Sequence, residues 1–257
     1  MADTTLTDIA AKALACLDLT NLKDTCSDAD IEALCRRAMT PYGPTAAICI
    51  WPRFVRMARA LLPKDGPVKI ATVVNFPSGD GSIAQTVAET TAAIADGADE
   101  IDLVIPYRAL IGGDAGAVTA MVRAVKAATP APARLKTILE TGEIGDPVLI
   151  ETATRLAVEA GADFIKTSTG KVAVNATPQA AGIMLRVIRD HGGTVGFKPA
   201  GGISTVKDAG DYLALAAEIL GDGWADAAHF RFGASGLLDD IERVLAGGAS
   251  QSTGQGY

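Results

Sequence analysis

Leu17-Asp18-Leu19-Thr20-Asn21 ends the first apolar segment of the chain without a glycine. Around it, short segments rich in β-branched residues alternate with alanine-rich stretches of helical period. Strands are expected over 16–20, 46–51, 69–76, 100–106, 135–141, 164–169, 194–200 and 229–234. Helices are expected over 28–39, 53–62, 82–96, 116–128, 146–160, 178–189, 206–220 and 237–246. Their starts carry capping chemistry: Ser27-Asp28 with Glu32 behind, Ser82, Asp146-Pro147 and Thr177-Pro178. Ala95-Asp96-Gly97-Ala98-Asp99 and Glu159-Ala160-Gly161-Ala162-Asp163 each stop a helix on glycine and lead into a strand. Eight strand–helix units imply parallel strands with right-handed crossovers. A doubly wound open sheet would carry a glycine-rich phosphate turn after its first strand, which Asn21 and its neighbours do not supply. The pattern therefore reads as an α/β fold, a closed (β/α)8 TIM barrel, for which 257 residues is an ordinary length.

At about 150 residues per domain, that length leaves one large or two small domains open. The unbroken alternation favours one barrel domain, 1–246, followed by a polar tail, 247–257, that lacks apolar periodicity and is expected to be flexible. Hydrophobic residues at 49% and charged residues at 21% fit a globular chain and not a disordered one. A net charge of −7 argues against a nucleic-acid partner, yet leaves a small anionic ligand open, since a pocket can be locally positive. No apolar run approaches the ~18 residues of a membrane span. Met1-Ala2-Asp3 lacks the basic-then-apolar pattern of a secretory signal. Cys16, Cys26, Cys35 and Cys49 show no paired spacing, so reduced thiols and a cytoplasmic location are expected. With only His191 and His229, a histidine-built metal site is not expected.

Barrel strands are covered on both faces, so charged residues within them require an explanation. Asp18, Thr20, Asp102, Lys136, Lys166 and Lys198 are such polar residues. Two-residue alternation puts Asp18 with Thr20, Lys166 with Ser168, and Lys198 with Ala200 on common faces. Lys166 and Lys198 fall on neighbouring strands, close to each other and to Asp102 if they point inward. A lysine amine is nucleophilic only when neutral, and its ordinary pKa of about 10.4 keeps it protonated. Burial and a second cation both favour the neutral form, which attacks a carbonyl to give a Schiff base. A buried lysine–aspartate ion pair is the alternative reading for either lysine alone. Glycine-rich turns follow three of these strands: Ser168-Thr169-Gly170-Lys171, Gly201-Gly202-Ile203-Ser204 and Gly233-Ala234-Ser235-Gly236. Such loops bind phosphate through backbone N–H groups at the C-terminal face of a barrel.

Phe164-Ile165-Lys166-Thr167-Ser168-Thr169-Gly170 and Gly196-Phe197-Lys198-Pro199-Ala200-Gly201-Gly202-Ile203 resemble segments of the deoxyribose-phosphate aldolases, a class I aldolase family. So do Leu17–Thr20, Ala47–Ile50, Val74–Pro77, Glu100–Val104, Lys136–Thr141 and Phe230–Ser235. The resemblance runs from the first strand to the eighth. It implies a metal-free, cofactor-free lyase acting on a small sugar phosphate and on aldehydes, with no membrane partner; a homodimer is compatible with it. The reaction implied is reversible cleavage of 2-deoxy-D-ribose 5-phosphate to D-glyceraldehyde 3-phosphate and acetaldehyde. Lys166 is similar to the Schiff-base lysine, Lys198 to the lysine that perturbs it, and Asp102 to the acid/base working through water. Asp18, Thr20, Cys49, Thr169 and Lys171 match substrate-side positions. Gly170, Lys171, Gly201, Gly202, Ser235 and Gly236 match the phosphate site. Gly236 stands where some relatives have serine, Ser204 where some have arginine, and Lys23 where asparagine is common, which implies a weaker grip on phosphate. Some members end in a catalytic tyrosine, which makes Tyr257 a further candidate. Another class I aldolase or transaldolase, or a non-catalytic barrel that senses a sugar phosphate, are the alternatives.

Overall fold

A computed structural model describes residues 5–251. Its barrel strands are β1 (Leu17–Asn21), β2 (Ala47–Ile50), β3 (Lys69–Val74), β4 (Glu100–Val104), β5 (Arg134–Ile138), β6 (Phe164–Lys166), β7 (Gly196–Lys198) and β8 (Phe232–Ala234). Each pairs in parallel with its sequence neighbour from β1 to β7, and β8 returns to pair with β1. β7 and β8 meet through the parallel bridges Phe197–Phe230 and Ala200–Gly233, which close the (β/α)8 barrel.

The helices are α1 (Leu6–Ala15), α2 (Asp28–Arg37), α3 (Val55–Leu61), α4 (Ile83–Ala95), α5 (Tyr107–Ile111), α6 (Ala115–Ala127), α7 (Thr141–Ile144), α8 (Pro147–Glu159), α9 (Pro178–Asp190), α10 (Val206–Leu220) and α11 (Leu237–Leu245). The expected caps are present: Ser27, Ser82, Asp146 and Thr177 each accept a backbone N–H of the first turn. Among the described residues no helix is long and apolar enough to cross a membrane.

Three helices arise where the sequence pattern predicts none. α1 precedes the barrel, starts on a Thr5–Asp8 capping box and packs against α10 and α11. α5 and α7 are single turns at the ends of β4 and β5, too short to show a period. The apolar, β-branched runs also outlast the ladders. Leu139, Thr167, Ser168 and Ala200 lie beyond the strand ends and are still buried at the barrel mouth, so their composition reads as strand.

The described part of the tail is fastened to the body. Gly248 N–H donates to Arg243 O, while Ser250 Oγ and Gln251 N–H reach the Asp240 carboxylate at 2.7 and 2.8 Å. Asp240 is fully buried and accepts from Val206 N–H at 2.7 Å, so one carboxylate ties α10, α11 and the tail together.

Candidate active site

Strand register determines which residues share the barrel interior. Thr20 stands opposite Cys49, Cys49 opposite Ala71, Val73 opposite Asp102, and Asp102 opposite Lys136. Ile138 stands opposite Lys166, and Lys166 opposite Lys198. The interior divides into two halves. On one side Leu22, Cys49, Ala71 and Val73 form a small apolar cluster, with Trp51 and Phe76 packed on it. On the other stand seven charged side chains, Asp18, Glu100, Asp102, Lys136, Lys166, Lys198 and Arg231, each at most 4% exposed.

Asp102 is the meeting point. Its Oδ2 accepts from Lys166 Nζ and from Lys198 Nζ, both at 2.8 Å, and its Oδ1 accepts from Lys136 Nζ at 2.9 Å. Burial works to raise its pKa, but the three ammonium groups outweigh burial and hold the carboxyl well below the usual range. Lys198 also donates to Asp18 Oδ2 at 2.6 Å. Burial would lower Lys198, yet Asp102 and Asp18 together hold its proton well above the ordinary lysine range. Lys166 has Asp102 alone as a bonded carboxylate, and there burial prevails: its pKa is lowered, with the Lys198 charge adding to the effect. The two lysines are thus driven in opposite directions.

The other candidates surround this centre. Cys49 Sγ lies 4.0 Å from Asp102 Oδ2, and burial pushes its thiol up. Thr20 is buried, its hydroxyl donating to Asp18 O at 2.8 Å. Asp18 has both oxygens engaged, Oδ2 by Lys198 and Oδ1 by Arg231 at 2.7 Å, and so acts on Lys198. Lys171 projects from the loop after β6 to the loop after β1, where its Nζ donates to Leu22 O at 2.8 Å, 5.9 Å from the Trp51 ring centre. Lys166 and Lys198 lie in the interior, while Lys171 crosses the mouth.

Gly170, Gly201 and Gly202 hold positive φ angles of 83, 80 and 80°, a backbone that favours glycine. Gly201 N–H donates to Gly233 O, bringing the turn after β7 against the end of β8. The N-terminus of α10 is filled by its own Thr205–Asp208 capping box. That of α11 begins at Gly236 with no side-chain cap, and half-buried Ser235 precedes it. Its first-turn acids are engaged elsewhere, Asp239 with Arg37 and Asp240 with Arg243. Tyr257 lies outside the described residues.

Sequence reasoning leaves three contributors out. Glu140 is fully buried, left-handed at φ 60°, and accepts from both the hydroxyl and the N–H of Thr169, at 2.5 and 3.2 Å. It orients the loop that carries Thr169 and Lys171. Glu100 begins a strand, where a charge reads as an ordinary flank, and Arg231 falls inside the expected strand 229–234, although the observed β8 starts one residue later; nothing in the sequence reveals their pairing. A cavity of about 940 Å³ opens at the opposite end of the barrel, lined by Lys69, Arg134, Glu100 and Arg231 among others, but not by Lys166 or Lys198. Lys166 and Lys198 are the last residues of β6 and β7, and barrel chemistry belongs to that C-terminal face.

A barrel with paired lysines and a carboxylate at this face defines an enzyme of the aldolase class, a lyase. The chain belongs to the DeoC/LacD family of aldolases, whose model matches residues 8–241. It is 60% identical over 250 residues to the deoxyribose-phosphate aldolase of Agrobacterium fabrum, covering 97% of this chain and 96% of that one. An apo-form structure from Toxoplasma gondii ME49 that carries the deoxyribose-phosphate aldolase name superposes with a TM-score of 0.86 at 26% identity, over 95% of this chain and 98% of that one. The tetrameric deoxyribose phosphate aldolase of Aeropyrum pernix gives 0.72 at 26% identity, over 93% and 92%.

Proposed function

We propose that the chain reversibly cleaves 2-deoxy-D-ribose 5-phosphate to D-glyceraldehyde 3-phosphate and acetaldehyde through an imine on Lys166. The observation that carries this reading is the opposite treatment of two lysines on one oxygen. Burial favours loss of the proton from Lys166, while two carboxylates favour its retention on Lys198, which supports Lys166 as the nucleophile and Lys198 as the neighbouring cation that exchanges a proton during turnover.

The Lys166 amine adds to the C1 aldehyde of the open-chain sugar, and loss of water leaves an iminium. Its positive nitrogen accepts the electron pair of the C2–C3 bond as the C3 hydroxyl gives up its proton, releasing glyceraldehyde 3-phosphate and leaving an enamine. Protonation of the enamine carbon and hydrolysis then free acetaldehyde and the amine. Asp102 and Lys198, in contact at 2.8 Å, move these protons, each transfer contributing roughly 10²–10⁴ in rate. The apolar side formed by Cys49, Ala71 and Val73 suits the two-carbon fragment. Gly170, Gly201, Gly202, Ser235 and the open N-terminus of α11 suit the phosphate, with Lys171 swinging from Leu22 O to join them.

A retro-aldol assay coupled to glyceraldehyde 3-phosphate detection tests this. Turnover of 2-deoxyribose 5-phosphate is expected, with slower turnover of 2-deoxyribose. Activity confined to dihydroxyacetone phosphate as donor would replace this reading with that of a ketose-phosphate aldolase.

A further inference from the structure

The buried charges of the barrel form a closed circuit. Lys198 binds Asp18, Asp18 binds Arg231, Arg231 binds Glu100, Glu100 binds Lys136, Lys136 binds Asp102, and Asp102 returns to Lys198. Cation and anion alternate round six members, so the ring is neutral with every member ionised. Lys166 is the fourth cation against three carboxylates, and among the described residues it joins the ring only at Asp102 Oδ2, at 2.8 Å.

We propose that this ring, with Arg231 as its positioning residue, makes Lys166 the group that surrenders a proton. The ring's three cations saturate the three carboxylates, and the fourth is left without a counter-charge in a low-dielectric interior. The proposal rests on the reading of Lys166 as the imine-forming residue and explains why that lysine is the one released.

Arginine suits the position because a guanidinium does not deprotonate at any working pH, so the surplus must fall on a lysine. Lys136 contacts Glu100 and Asp102 and lies 3.7 Å from Asp18, Lys198 contacts Asp18 and Asp102, and Lys166 contacts Asp102 alone. Arg231 is held in place from several directions. Its Nη1 meets Asp18 at 2.7 Å, its Nη2 meets Glu100 at 2.8 Å, its Nε meets Ala227 O at 2.7 Å, and its guanidinium lies 5.7 Å from the Phe164 ring centre. Gly196 leaves room for that ring: a Cβ there would fall 2.3 Å from Phe164 Cε1.

The other titratable groups near Lys166 are the Cys49 thiol, pushed up by burial, and Glu140, also raised by burial and bonded to Thr169. Neither belongs to the ring. An ionised Glu140 would favour the charged lysine from a distance, so it opposes the ring's effect and does not produce it.

The test is the pH dependence of Lys166 alkylation by acetaldehyde and cyanoborohydride in the full chain, located by peptide mass mapping. Arg231→Met leaves three lysines for three carboxylates, so the midpoint should move up by about one pH unit, the scale of a unit charge acting at an effective dielectric of ~20. Glu100→Gln leaves four cations for two carboxylates and should move it down by a similar amount. The double substitution should return it towards the unsubstituted protein, and Arg231→Lys should leave it close to that value. If Arg231→Met does not fold, Glu100→Gln and Arg231→Lys still decide the matter. Labelling at Lys166 with the midpoint unshifted in Arg231→Met and in Glu100→Gln, or moved the same way by both, would overturn the ring. Absence of labelling at Lys166 in the unsubstituted protein would instead overturn the assignment of Lys166 itself.

Discussion

Lys166 and Lys198 are register partners on adjacent parallel strands, and both donate to the same atom, Oδ2 of Asp102, at 2.8 Å. One oxygen cannot balance two ammonium groups. Asp18, bonded to Lys198 at 2.6 Å, settles the competition in favour of Lys198 keeping its charge. Replacing Lys198 by leucine removes that charge and returns Asp102 to Lys166, whose pKa should rise. The acidic limb of the kcat/KM profile should therefore move to higher pH, with kcat lowered roughly 10²-fold or more by loss of the proton donor. An unchanged profile would remove Lys198 from this role.

Gly233 on β8 faces the same lysine. A Cβ there would sit 2.8 Å from Ala200 Cβ and 3.0 Å from Lys198 Cε. Gly233→Ala should displace the Lys198 side chain, lowering kcat by about 10²-fold, and overpacking should cost about 1–3 kcal/mol of stability. Urea denaturation and steady-state kinetics on one preparation separate the two effects. Full activity would show that the lysine stem accommodates the methyl.

Asp18, Glu100 and Asp102 all have pKa values lowered in the folded state, despite burial, by the cations around them. Unfolded carboxyls titrate near 4. Below that pH the unfolded chain binds more protons than the folded one, so the stability these groups contribute is present above about pH 5 and lost as pH falls. Lys166, lowered when folded, acts in the same direction at higher pH, giving stability that rises with pH up to its unfolded value of about 10.4. Urea midpoints measured from pH 7 down to pH 3 should fall by an amount worth a few kcal/mol, on the order of 1.4 kcal/mol for each tenfold change in a carboxyl's proton affinity on folding. A flat profile would contradict the ionised network.

Much of this was legible in the sequence. Two-residue alternation singles out Asp18, Asp102, Lys136, Lys166 and Lys198 because charge inside a doubly covered strand is expensive. The strand–helix count follows from caps and glycine stops such as Gly97 and Gly161. The hidden parts are those set by distant partners. Arg231, inside the expected strand 229–234, has no visible partner until the closed barrel brings it 2.7 Å from Asp18, 213 positions earlier. Glu140 appears as one more strand residue because its left-handed backbone carries no glycine to announce it. The helix α1 carries its Thr5–Asp8 signal, but barrel logic begins at the first strand and passes over it.

Cys49 lines the apolar side, and its Sγ lies 4.0 Å from Asp102 Oδ2, the oxygen that holds Lys166. An enal formed from two acetaldehydes would meet this thiol at the site, where Michael addition consumes it. Because burial raises the thiol pKa, inactivation should accelerate as pH rises. Cys49→Met should retain most of its activity after incubation in concentrated acetaldehyde, under conditions that inactivate the unsubstituted protein. Equal losses in both would place the damage elsewhere.

The most direct measurement is borohydride reduction of the protein mixed with acetaldehyde, followed by intact-mass and peptide analysis. A single ethyl group on Lys166, absent from Lys166→Arg together with retro-aldol activity, is the predicted result. An ethyl group on Lys198, or an undiminished adduct in Lys166→Arg, would contradict the account.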